Sequence, residues 1–148
     1  MSTTDAQQVA RESSAAMVAA DSAARSTGVR IVEIGPGHAT AALTVAGQHV
    51  NGHGVCHGGV LFLLADTAMA HACNSYGTSA VASGADIAFL RPASLGDELT
   101  ASATERALAG RSGLYDVSVR TGDGTVVAEF RGRTRRVPGL APPPRVEP

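Results

Sequence analysis

Val60-Leu61-Phe62-Leu63-Leu64-Ala65-Asp66-Thr67-Ala68-Met69-Ala70-His71-Ala72-Cys73 is the most apolar stretch of the chain, and its reading decides the architecture. Leu61, Leu64, Ala65, Ala68 and Ala72 recur at i, i+3, i+4, i+7 and i+11, the spacing of one face of an α-helix. The other faces are also apolar or small, which predicts a helix of about four turns buried nearly all round. Tyr76-Gly77 is expected to end it, with Gly77 as the C′ residue. Upstream, Asn51 to Gly59 is rich in Asn and Gly and reads as loop.

Working outward, the sequence after the helix is β-like. Residues 80–90 form a long strand stopped by Pro92, followed by strands over 98–108, 114–120 and 125–136. Gly122-Asp123-Gly124 turns the last pair into a hairpin. Before the helix, residues 29–34 and 39–45 make a shorter hairpin around Gly35-Pro36-Gly37. Residues 4–25 are polar and Ala-rich and predict one peripheral helix ending before Ser26. Three consecutive prolines mark residues 137–148 as a disordered tail. The expectation is an α+β chain with a helical extension (1–25), one domain (26–136) and a tail (137–148), its antiparallel sheet wrapped around a single long helix.

Composition bounds the function. The chain has 148 residues, the length of one domain, and is 44% hydrophobic and 17% charged with a net charge of −1. That excludes a disordered chain and gives no basic footprint for nucleic acid. No apolar run reaches the roughly 18 residues that span a bilayer. The N-terminus lacks a charged segment followed by an apolar one, so no secretory signal is expected. Two cysteines, Cys56 and Cys73, make no disulfide framework, and a cytoplasmic location follows as the expectation.

The chemistry-bearing residues cluster around the helix entry. Asp66 is the only charged residue between His57 and His71 and shares a helical face with Phe62, Met69 and Cys73. Desolvation there raises a carboxyl pKa, which fits either a hydrogen-bonded structural Asp or a catalytic carboxylate. Gly58-Gly59 opens the helix, where N–H groups and the positive end of the dipole face outward. That fits a flexible helix entry or, for an acyl ligand, an oxyanion hole. Gly59 and Asp66 lie seven residues apart, on nearly one face but about 10 Å apart along the axis. If both serve one substrate, the carboxylate must come from a second copy of the chain. His53, Cys56 and His57 do not make a metal site, since four glycines oppose a helix there and no local carboxylate completes the set. His38, His49 and His71 read as ordinary polar residues. Arg131, Arg133, Arg135 and Arg136 read as a solvated strand edge or as a phosphate-binding patch.

Asn51-Gly-His53 through Cys56-His57-Gly58-Gly59, then Leu63-Leu64-Ala65-Asp66-Thr67-Ala68 and Ala72-Cys73-Asn74-Ser75, resembles the hotdog-fold acyl-CoA thioesterases of the phenylacetate-degradation branch. The similarity continues through Asp86–Pro92, Gly113–Asp116 and Phe130–Gly132, covering about residues 25 to 136. The resemblance implies Asp66 as nucleophile or general base and the Gly58 N–H as the donor polarising the thioester carbonyl. It implies that Asn51 and His57 position the acyl group or attacking water, with Thr67 beside the carboxylate. Gly59, Arg131 and Arg133 are the remaining candidate substrate-binding residues. It further implies homodimers with shared sites, usually paired into tetramers, an aryl-acetyl-CoA substrate, and no metal or cofactor. The alternatives are an enoyl-thioester hydratase on the same fold and a non-catalytic acyl-CoA-binding protein. Release of free CoA separates them.

Overall fold

The computed structural model describes residues 1–140; the rest of the expected tail, residues 141–148, lies outside the described residues. Helix α3 (Gly58–Cys73) runs through the centre. The five stripe residues Leu61, Leu64, Ala65, Ala68 and Ala72 are all buried. Burial is not complete around the helix, however. Phe62 is 37% exposed, and Val60, Leu63, Asp66 and Ala70 are half-buried.

Strands β1 (Arg30–Gly35), β2 (His38–Thr44), β3 (Ala80–Phe89), β4 (Glu98–Ala109), β5 (Ser112–Arg120) and β6 (Val126–Arg136) form one antiparallel sheet in the order β1-β2-β4-β5-β6-β3. Period-2 alternation decides which side chains meet α3. On β5, Tyr115, Val117 and Val119 are buried; on β6, Ala128, Phe130, Gly132 and Thr134 are buried, while Arg131 and Arg133 face out. Gly132 has no Cβ because the Met69 thioether of α3 occupies that space. The fold is an antiparallel sheet wrapped over one long helix, the hotdog architecture.

Two local expectations change. The N-terminal segment is two helices, α1 (Thr3–Ala20) and α2 (Ser22–Thr27), so it is broken at Asp21 and continues past Ser26. Asp21 makes the break by capping α2, its carboxylate accepting the Ala24 N–H at 2.9 Å. Helix α3 ends at Cys73, before Tyr76-Gly77. The Asn74 side chain ends it by donating to Ala70 O (2.8 Å) and Ala80 O (2.9 Å) while accepting from Ala80 N–H (2.9 Å). This ties the helix terminus to the start of β3, and Gly77 takes its positive φ of 80° in the turn between them.

The two sheet edges differ. Helix α1 covers the β1 side, with Gln7 Nε2 donating to Ile34 O at 2.7 Å. Strand β3 is ten residues long and pairs only with β6; Val81 and Phe89 are exposed along it. A long, bare, partly apolar edge is a template for pairing with another chain.

Candidate active site

The loop before α3 is held by its own hydrogen bonds. Asn51 Oδ1 accepts from the N–H groups of His53 (2.9 Å) and Val55 (3.3 Å). This Asx turn commits the amide oxygen and leaves the Asn51 NH2 group as the part able to donate to a ligand. Below it, His49 is buried and fully engaged rather than an ordinary surface histidine. Its Nδ1 accepts from Ala46 N–H (2.9 Å) and its Nε2 donates to Thr27 O (2.6 Å). His57 N–H donates to His49 O at 2.8 Å, which fixes where α3 begins.

The first turn of α3 allots its N–H groups individually. His57 is the N-cap, and its C=O accepts from Val60 N–H (2.9 Å) and Leu61 N–H (3.2 Å). Its ring Nδ1 accepts from Gly59 N–H at 2.8 Å. Gly59, expected among the substrate-binding groups, therefore has its N–H committed within the chain. Among the described residues the Gly58 N–H is the one first-turn donor with no partner. It borders a cleft of about 360 Å³ lined by Asn51, Val55, Cys56, Leu61, Phe89 and Pro92 among others. A Cβ on residue 58 would stand 3.0 Å from the Phe89 ring, tighter than an ordinary contact, so glycine eases this approach.

Asp66 is not in that cleft. It sits two turns further along α3, on the flank whose neighbours reach the β6 side of the sheet. Phe62 packs edge-on to Phe130 (5.2 Å between ring centroids), and Met69 lies over Gly132. Burial raises the Asp66 pKa, the negative charge of Asp21 adds to the rise, and no hydrogen-bond donor among the described residues offsets either. Thr67 is buried and donates its hydroxyl to Leu63 O at 2.7 Å, so it braces the helix beside Asp66.

The structure thus brings Asn51 and Gly58 to one cleft, keeps His57 beside it as the N-cap with its ring over Gly59, and leaves Asp66 apart. Arg131 and Arg133 lie on the opposite face of the sheet. Arg131 holds Asp116 bidentately (2.7 and 3.0 Å), and Arg133 reaches Asp86 (3.2 Å). These two guanidinium groups are paired with acids, away from the helix entry. Sequence reasoning did not find Phe89 and Leu61 as cleft walls, because strand and helix meet there only in three dimensions. His71, expected to be an ordinary polar residue, is buried with Nδ1 2.7 Å from the Ser14 hydroxyl, and burial pushes its pKa down to about 4. Among the described residues no cluster of three His, Cys, Asp or Glu side chains could hold a metal ion, and no helix is long and apolar enough to cross a membrane.

Comparison with known proteins identifies the family. The thioesterase superfamily model matches residues 53–128, from the loop before α3 into β6. The acyl-coenzyme A thioesterase PaaI of Escherichia coli is 46% identical over 124 residues, which is 84% of this chain and 89% of that protein. The structure of the E. coli PaaI protein from the phenylacetic acid degradation operon superposes with a TM-score of 0.88 at 44% identity, covering 90% of this chain and 96% of that one. A point mutant of the phenylacetic acid degradation protein PaaI from Thermus thermophilus gives 0.76 at 36% identity, covering 79% and 100%. With the helix entry inside the matched segment and the fold shared along most of the chain, the protein belongs to the thioesterase superfamily and is a thioester hydrolase.

Proposed function

We propose that the chain hydrolyses aryl-acetyl-CoA thioesters, with each site built from two copies of the chain. The observation that carries this reading is the unclaimed Gly58 N–H at the positive end of α3, opening into an apolar cleft. A thioester carbonyl placed there accepts from that N–H, and the developing oxyanion is stabilised by the donor and the helix dipole together. Leu61, Phe89 and Pro92 offer apolar walls suited to an aryl ring, and the Asn51 NH2 group is placed to orient the acyl group or a water. The relatives' association with phenylacetic acid degradation supports the same acyl class.

The attacking group is the partner's Asp66. Within one helix Gly58 and Asp66 are eight residues, or about 12 Å, apart along the axis, too far for one carboxylate to reach a carbonyl held by Gly58. A two-fold axis setting two α3 helices antiparallel supplies the second group when it passes level with Phe62, midway between the two positions. Three observations support that placement. Phe62 is 37% exposed; Asp66 and Phe62 share the flank nearer β6 and β3; and the β3 edge beside them is bare. Since Phe62 meets Phe130, which pairs with Ile87, the two β3 strands would pair around Ile87.

Asp66 then acts either as nucleophile, giving a mixed anhydride and thiolate that water resolves, or as general base for a water. Single-turnover hydrolysis in ¹⁸O-labelled water separates the two, because only the covalent route labels the enzyme carboxylate. The activity test is release of free CoA from a thioester panel. Higher kcat/KM for phenylacetyl- and hydroxyphenylacetyl-CoA than for palmitoyl-CoA is expected, and a long-chain optimum would contradict the acyl assignment.

A further inference from the structure

The two adjacent glycines at the start of α3 each lie close against a different ring. A Cβ on Gly58 would lie 3.0 Å from the Phe89 ring, and one on Gly59 would lie 3.0 Å from Nδ1 and 3.3 Å from Cε1 of its close neighbour His57, both tighter than ordinary contacts. His57 thus folds back over Gly59 and takes its N–H at 2.8 Å. A ring nitrogen that accepts from a backbone N–H carries no proton, so the neutral imidazole holds its proton on Nε2. Nδ1 is therefore spoken for and offers no base to a substrate.

We infer that His57 is a positioning residue: by capping α3 through Gly59 it leaves the Gly58 N–H as the one first-turn donor without a partner among the described residues, and holds it in place. The inference rests on the proposed role of Gly58 in binding the thioester carbonyl. The reason the cap matters is the sequence it restrains. Two successive glycines are the most flexible helix entry a chain can have, and an oxyanion donor is effective only when oriented before the reaction. The backbone of His57 is anchored on both sides, N–H to His49 O (2.8 Å) and C=O to Val60 and Leu61 N–H, so the ring needs only its side-chain torsions to reach Gly59. This differs from a role in which His57 touches the acyl group or the attacking water through Nε2.

Ser is among the strongest N-cap residues, and its short hydroxyl can accept from Gly59 N–H but cannot reach the position of Nε2. The test compares the full chain with His57→Ala and His57→Ser, using phenylacetyl-CoA as substrate. His57→Ala is expected to lose at least about tenfold in kcat with little change in KM, and His57→Ser to recover to within about threefold of the parent. Failure of Ser to exceed Ala would overturn the capping role in favour of direct contact through Nε2. A second readout is independent of turnover: ¹⁵N-detected imidazole spectra should show His57 protonated on Nε2 only. The Gly59 amide should exchange slowly in the parent and in His57→Ser and fast in His57→Ala. A proton on Nδ1, or an unprotected Gly59 amide in the parent, overturns the cap whatever the kinetics. If the parent releases no CoA from any thioester, the proposed function falls and the catalytic purpose of the cap with it, while the spectra still decide whether the cap exists.

Discussion

At the C-terminal end of α3, His71 meets Ser14, Asn74 bonds both ways to Ala80, and Ser75 donates to Ala72 O (2.6 Å) while accepting from Gly37 N–H (2.8 Å). At the N-terminal end, three first-turn N–H groups are taken by His57 and a fourth, on Gly58, is left over beside a cleft. Asp66, between the two ends, carries a raised pKa with no donor among the described residues to relieve it. The contrast separates two uses of polar groups on one helix. Where each finds a partner, the group fastens an element in place; where one is left unanswered in a half-buried position, the fold tolerates it and chemistry can use it.

The contrast breaks most sharply at Asp66. Asp66→Asn is nearly isosteric but can neither attack nor take a proton, so kcat should fall by about 10²–10⁴-fold. Stability should move the other way. A carboxyl whose folded pKa is raised weakens the folded state once pH exceeds its unfolded value, so a neutral amide should raise Tm at pH 7. Assays of CoA release and thermal melts on the same samples check both. Near-normal turnover, or a lowered Tm, would remove the distinction between an unanswered group and a structural one.

At the answered end the effect belongs to stability. Asn74→Ala removes three hydrogen bonds, one to Ala70 O within α3 and two to Ala80 of β3, and should cost about 2–3 kcal/mol in chemical denaturation. The loss of activity should be no greater than the loss of folded protein.

His71 gives a smaller, pH-dependent effect. Its folded pKa of about 4 lies below the ordinary 6.5 because the ring is buried. The unfolded chain therefore binds more protons between those values, and this contribution to stability is complete above about pH 6.5 and fades as pH falls toward 4. Denaturation between pH 7.5 and 5 should show a loss of roughly 2 kcal/mol that is absent in His71→Gln. An equal loss in the variant would assign the pH dependence to other groups.

How much of this was legible in the sequence depends on how local each cause is. The α3 stripe and the six strands follow from periodicity, and their ends fall close to the expected ones. The break at Asp21 and the end at Asn74 were hidden because an Asp or Asn reads equally as surface or as cap until its partner N–H is known. The His57 cap was within reach: a polar residue stands immediately before a long apolar helix, with a glycine two positions on. The pairing of Arg131 with Asp116 was not, since it depends on the β5–β6 register, where the two face each other. The proposal of a site shared between chains was within reach of helix geometry alone, because the helix between its entry and Asp66 is longer than any carboxylate side chain.

The proposed two-chain site is tested most directly by subunit mixing. Asp66→Asn supplies one inactive parent. Gly58→Pro supplies the other: it deletes the N–H at the helix position that best accepts proline, its Cβ asks only the exposed Phe89 ring to give way slightly, and His57 already has the extended backbone (φ −60°, ψ 135°) that a following proline demands. If each site takes Gly58 from one chain and Asp66 from its partner, a mixed dimer holds one site with both defects and one with neither. Random re-pairing of equal amounts makes about half the dimers mixed and should restore roughly a quarter of wild-type activity, while each parent alone stays near zero. A mixture shown by mass spectrometry to have exchanged subunits, yet still inactive, would contradict the two-chain site.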